Sequence, residues 1–358
     1  LGAWVTNTNT WDTHLDMRMQ SADKAAHAHH KAMSQVLLPI HTRKLPLTTV
    51  AQPIVTYAAQ VWARPTKDMQ RKLNSWQAGL AARAFHCPAN TSHMCLQQEI
   101  GLVPLHITCE LLAMRYWHHL STTPTDRLLS KIHTAWSGKY HPWAKSVNAM
   151  LAKYQVTNTE ALALSTAQFK IHLSAKVVDY LRTYWQQPTR KHGPVHERYV
   201  SDFGVGETRS ARTRVRSYLR ELTNQPTLAY CRAAELCMHM RLECLPLRAF
   251  HSHLRTNETT VARQTRELCP CCQAHSETPA HFLLECPAYS SLRSPAHIAA
   301  AIAQAQATPS PWRSLLADHP ATIAHYIHDA WSIRRAALTG RGAYGGNPMA
   351  LAPVPGPG

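Results

Sequence analysis

Acidic side chains are scarce in this sequence. Its 358 residues hold 21 Asp and Glu against 38 Lys and Arg, a formal net charge of +17. No two Asp adjoin, and the acids are scattered singly. Two-metal nucleotidyl transfer needs clustered carboxylates to hold both ions, so that chemistry has no site in these residues. Long apolar runs are missing too. Nothing approaches 18 consecutive apolar residues, which excludes a membrane-spanning helix. No charged segment followed by an apolar one opens the chain, so a secretory signal is not expected. There is no internal repeat.

Charged residues make up only 16% of the chain, below the roughly 25% of an average domain. The positive balance therefore comes from missing acids rather than from runs of Lys and Arg. Hydrophobic residues reach 45%, so the chain can bury a real core and is not a disordered basic tail. A charge excess of this size implies a polyanionic partner, most simply nucleic acid. The 24 His would add to it in an acidic setting.

The apolar pattern is helical over most of the length, and a mainly α fold is expected. Residues 13–38, free of Pro and Gly, read as one long helix. Residues 47–63 read as a buried helix that Pro53 kinks or starts. An amphipathic helix follows at 66–85, with Met69, Leu73, Trp76, Leu80 and Ala84 on one side. Further helices are expected at 91–100 and 105–120, then through 124–187. Residues 188–206 read as a polar linker. Helices at 208–222 and 226–242 lead to a cysteine cluster, and two more follow it. Residues 340–358, with six Gly and four Pro, read as a disordered tail.

Six cysteines stand alone (Cys87, Cys95, Cys109, Cys231, Cys237 and Cys244), whereas Cys269, Cys271, Cys272 and Cys286 fall close together. Dispersed thiols with one tight cluster suit a reducing compartment, nuclear or cytoplasmic, and a metal site. Cys269, Cys272, His281 and Cys286 form C-x2-C-x8-H-x4-C, three thiolates and an imidazole. That is the complement of a closed structural zinc site, with one Zn2+ and no open position for catalysis. Thr278 and Pro279 read as a helix N-cap and first helical residue. His281 and Cys286 would then lie about 140° apart on a regular helix, and Pro287 favours ending that helix at Cys286. Cys271 and His275 remain alternative ligands.

The same residues carry a family resemblance. The run from Cys269-Pro270-Cys271-Cys272 through Glu277-Thr278, His281 and Cys286-Pro287 to Tyr289 and Arg293 is similar to the C-terminal zinc knuckle of non-LTR retrotransposon reverse transcriptases. The lead-in from Met240 to Leu247 resembles that family's approach to the knuckle, although Cys244 departs from it. Leu1-Gly2-Ala3-Trp4 with Trp11 and His14 resembles the segment that closes the palm, and Lys24-Ala25 the helix after it. Pro53, Tyr57 and Trp62 resemble a thumb helix in which Ala58 and Gln60 replace the usual Gly and Glu. Glu99-Ile100-Gly101-Leu102 with Pro104-Leu105 resembles the turn that closes the thumb.

The resemblance implies the end of a palm at 1–12, as a strand remnant, and a helical thumb at 13–122. A helical connector would span 123–239, a zinc-knuckle region 240–294 and a helical tail 295–339. It implies part of an RNA-directed DNA polymerase that grips template RNA and target DNA. The catalytic acids and their Mg2+ would belong to palm and fingers upstream of Leu1. A downstream endonuclease is not expected, because Asp318 and Asp329 are the only acids past Arg293. The alternative is a zinc-knuckle module that binds nucleic acid or protein with no polymerase role.

Three basic groups are the expected nucleic-acid contacts. Arg212, Arg216 and Arg220, joined by Arg209 and with Arg214 nearby, would line one face of a helix beside Tyr218, suited to a phosphate backbone. Arg64, Lys67, Arg71 and Lys72 open the 66–85 helix. Arg241 and Arg248 lead into the knuckle. Arg190, Lys191 and Arg198 read as solvated linker charges, and Phe282 as a small local core.

Overall fold

The computed structural model describes residues 11–62, 66–137, 142–187, 193–206, 208–209, 212–213, 215–224, 227–248 and 266–339. The strand expected at the N-terminus and the tail expected at 340–358 lie outside these residues. The fold is mainly α-helical, as the apolar periodicity requires. Among the described residues, no helix is long and apolar enough to cross a membrane.

The expected 13–38 helix is two helices, α1 (Asp12–Ala28) and α2 (His30–Ser34). The break falls at His29, whose N–H bonds the Ala26 carbonyl at 3.1 Å in a tightened turn. After α3 (Ile40–Arg43), the 47–63 helix is also shorter than expected. A π-helical turn at Leu47–Ala51 runs into α4 (Gln52–Val55). Pro53 lacks an N–H to donate, which suits a locally widened turn. The chain then leaves the helix, with Ala58 at φ 58°. That is where the resembling family has Gly, the residue that takes this conformation without strain.

Helix α5 (Lys67–Ala84) forms where expected, capped by the Thr66 hydroxyl, which accepts from the Met69 N–H at 3.2 Å. Met69, Leu73, Trp76, Leu80 and Ala84 are all buried. Helix α6 (His93–Ile100) ends on Gly101 at φ 62°, and the Leu102 N–H returns to the Gln97 carbonyl. Helix α7 (Leu105–Thr122) then serves two cores. Its Leu105 and Cys109 enter the main one, whereas Ile107, Leu111, Met114 and Trp117 enter a second. Helix α8 (Leu128–Ser137) packs beside α7, while α9 (Pro142–Lys153), α10 (Asn158–Leu162) and α11 (Thr166–Gln186) complete the second core.

The 188–206 stretch is not simply a linker, because α12 (Gly193–Phe203) occupies most of it and buries His196 and Tyr199. Nor is 208–222 one helix. Residues Thr208–Arg209 (β1) and Arg212–Thr213 (β2) pair antiparallel, and α13 (Ser217–Thr223) starts only afterwards. Helix α14 (Leu228–Arg241) follows. Beyond the cysteine cluster come α15 (Ser290–Arg293), α16 (Ala296–Gln306), α17 (Pro311–Asp318) and α18 (Pro320–Thr339). The main core joins α1–α6 to α12–α18.

Glu99, fully buried at the end of α6, ties these segments together. Its Oε1 accepts from Arg241 Nε at 2.8 Å and Tyr199 Oη at 2.7 Å, and its Oε2 accepts from Tyr218 Oη at 2.9 Å. Burial alone would raise this carboxyl's pKa. The Arg241 and Arg216 guanidiniums more than offset that and hold it below the usual carboxylate range. Glu235 on α14 follows the same pattern. Burial pushes it up, yet the hydrogen bond from His86 and the charge of Arg43 bring it down to about 2.

Removing one member of a buried pair strands the other charge. Glu99→Ala should therefore cost about 3–5 kcal/mol of stability, read from urea unfolding at neutral pH. Because the Glu235 pKa is depressed on folding, its ionised form stabilises the fold above the ordinary carboxyl value and loses that effect toward acid. The stability gap between the wild type and Glu235→Gln should be full above pH 4.5 and close as pH falls to about 2. A gap that widens toward acid would contradict the assignment.

Candidate metal centre

Cys269, Cys272, His281 and Cys286 converge. One ligand atom from each lies within 4.8 Å of the others, and Cys269, His281 and Cys286 are buried. The Cys269 and Cys286 sulfurs are 3.8 Å apart, and Cys272 Sγ is 3.3 Å from His281 Nε2. Four ligands about 2.3 Å from a common centre in tetrahedral array stand about 3.8 Å apart. The spacing thus fits a single ion of zinc's size.

The backbone solves the five-residue separation in an unforeseen way. The Thr278 hydroxyl accepts from the His281 N–H at 3.0 Å, capping the helical turn as expected. The turn His281–Glu285 is π-helical, and the Cys286 N–H bonds the His281 carbonyl at 2.8 Å. An i→i+5 bond widens the turn and brings residues five apart onto one side, where a regular helix would separate them. Before Pro287, Cys286 is extended at ψ 120°, which ends the helix and returns its sulfur.

The two alternative ligands stand at the edge of this group and outside its four converging atoms. Cys271 Sγ meets Tyr289 Oη at 3.1 Å, and hydrogen bonds from Cys269 and then Tyr289 pull its pKa down to about 7. His275 is exposed, its ring 5.5 Å from that of His281. Burial pushes Cys286 up to about 12 and lowers His281, so the protein offers these ligands no counter-charge of its own. A bound dication would supply it.

The knuckle is anchored on α18. Glu277, fully buried, receives Arg334 Nε at 2.5 Å and Nη2 at 2.9 Å, and its Oε2 also accepts the Arg248 N–H at 2.8 Å. Tyr326 Oη donates to the Leu283 carbonyl at 2.7 Å. Arg293 Nη2 donates to the Cys286 carbonyl at 2.6 Å. Phe282 and Tyr289 are both buried, 5.3 Å apart edge to face, so neither is free to stack on a base.

The basic residues divide differently from the expected pattern. Arg216 precedes α13 and is buried, so the Arg212, Arg216, Arg220 line does not form. Its guanidinium instead donates to the carbonyls of Phe203, Gly204 and Val205, the open C-terminal end of α12. Arg241 is buried against Glu99 and stacks over the Phe203 and Tyr218 rings. Both guanidiniums are engaged by groups of the protein itself. Tyr218 is buried as well. Arg248 is half-buried, with Nη1 on the Leu268 carbonyl at 3.0 Å.

Lys67, Arg71 and Lys72 are exposed on α5, where Arg71 pairs with Asp68 and Lys72 with Asp16. Arg209 and Arg212 sit opposite each other in the two-residue hairpin, and Arg220 is half-buried on α13. Arg64 and Arg214 lie outside the described residues. Arg198, expected as a solvated linker charge, pairs with Glu243 at 2.7 Å.

Charge counting could not separate buried from exposed arginines, and it missed the acids that draw them inward. Cys272→Ser should release one zinc equivalent, measured by elemental analysis of the purified protein, while Cys271→Ser and His275→Ala should release none. Loss of metal from Cys271→Ser with retention in Cys272→Ser would reverse the ligand assignment. Comparison with family models, curated proteins and solved structures found no match to this chain.

Proposed function

We propose that this chain is the nucleic-acid-gripping, non-catalytic part of an RNA-directed DNA polymerase of the non-LTR retrotransposon kind, with template RNA and target DNA as its partners. The observation that carries this reading is the convergence of Cys269, Cys272, His281 and Cys286, the ligand set that the family resemblance implies. With one Zn2+ bound, the four residues would make a closed structural site that leaves no position for a substrate. The role of the metal would be to order a short loop-rich segment that buries little apolar surface of its own.

The distribution of charge supports a binding role. Glu99, Glu110, Glu235 and Glu277 are buried and spend their charge on Arg241, Lys153, Arg43 and Arg334. These pairs cancel internally and take nothing from the net excess of +17. Phosphate contacts position a nucleic acid without reading its sequence. In this reading Lys67, Arg71 and Lys72 provide one such contact along α5. Arg209 and Arg212, opposed in the β1–β2 register, provide another. The palm, fingers and Mg2+ would come from residues outside this sequence.

Binding to a fluorescent RNA hairpin should weaken steeply with salt, by a log–log slope of about −0.9 per phosphate neutralised on a duplex. Replacing Lys67, Arg71 and Lys72 together with Gln should make the slope shallower by about two to three such increments without lowering the melting temperature. Undetectable or salt-independent binding would refute the proposal and favour a protein-interaction module.

A further inference from the structure

A second set of soft ligands lies at the seam between α5 and α14. One ligand atom each from Cys87, His239 and Cys244 falls within 4.8 Å of the others, and all three residues are buried. In sequence, Cys87 and Cys244 are lone cysteines more than 150 residues apart, so only the fold brings them together.

The two helices end in the same way. Each C-terminus passes through a non-glycine residue in the left-handed region, His86 at φ 53° and Glu243 at φ 51°. In each, the next residue's N–H reaches back to a carbonyl five residues earlier, Cys87 to Ala82 and Cys244 to His239, both at 2.9 Å. These are paired helix-terminating motifs with a cysteine just past each end. A non-glycine residue is strained in this conformation, and it is accepted twice where the two thiols meet.

One nitrogen of the histidine is fixed by the backbone. His239 Nε2 bonds the Phe85 carbonyl at 2.8 Å. With Nε2 as donor, Nδ1 keeps its lone pair, and a ligating imidazole commonly gives its other N–H to a backbone carbonyl in this way. Two thiolates and a divalent ion sum to zero charge, which suits a buried site. Beside the group, Glu235 carries a buried Oε2 with no hydrogen-bond partner.

We propose that Cys87, His239 and Cys244 hold a second zinc ion that clamps the end of α5 to the end of α14. Three protein ligands leave one of zinc's four positions to a water. The ion is separate from the knuckle, shares no ligand with it, and has a structural role at the seam.

Metal content tests the proposal. The purified chain should hold two zinc equivalents, and the double variant Cys87→Ser/Cys244→Ser should hold one, still lost on Cys272→Ser. A zinc count unchanged by Cys87→Ser/Cys244→Ser overturns it. Should that variant fail to fold, Co2+ replacement in the wild-type chain gives an independent count. Thiolate-to-cobalt absorption should correspond to five sulfurs, three from the knuckle and two from the seam. Three sulfurs would overturn the seam site, whereas two would uphold it and remove the knuckle.

Discussion

The buried Glu99 carboxylate is the constraint on which the architecture turns. It sits at the end of α6 and is met by Arg241 from α14, Tyr199 from α12 and Tyr218 from α13. Its own backbone carbonyl accepts the Arg216 N–H at 3.0 Å, fixing the start of α13. A charge in this position is tolerated only when fully paired and hydrogen-bonded. Every segment that supplies a partner is therefore held in place. The same arrangement recurs at Glu235 with Arg43 and at Glu277 with Arg334, so the few acids of the sequence join elements far apart in the chain.

This use of acids links stability to the charge balance. An ion pair inside the protein satisfies both charges and removes both from the surface. Acids used this way cannot cluster to hold catalytic metal ions, and the remaining surface stays basic. The candidate zinc knuckle depends on the same logic at its edge, because Glu277 fastens it to α18 through Arg334 while Arg248 closes over it. The candidate metal centre and the ion pair thus meet at the last helix.

Helix ends carry much of the chemistry. At the knuckle, a π-helical turn brings His281 and Cys286 to one side. At the seam, two left-handed helix terminations bring Cys87 to Cys244. Arg216 closes the carbonyl end of α12 in place of a contact with solvent or phosphate. These are local backbone decisions, and each depends on a neighbour in space. Periodicity alone placed α5, α6 and α7 well, because their apolar stripes and caps are local. It made single helices of 13–38, 47–63 and 208–222, where the breaks depend on packing or on a buried side chain.

The sequence by itself determined the helical class, the excess of positive charge and the four residues that converge at the candidate metal centre. Apolar spacing, composition and close ligand spacing are properties of the chain before it folds. Only the tertiary structure decided which arginines face inward. A guanidinium is buried when a distant carboxylate or carbonyl end needs it, as Glu99 needs Arg241 and the end of α12 needs Arg216. It also decided that Cys87, His239 and Cys244 meet, since nothing local relates them. The scarcity of acids is visible at once in the sequence, but only the structure shows that four of them, Glu99, Glu110, Glu235 and Glu277, lie inside.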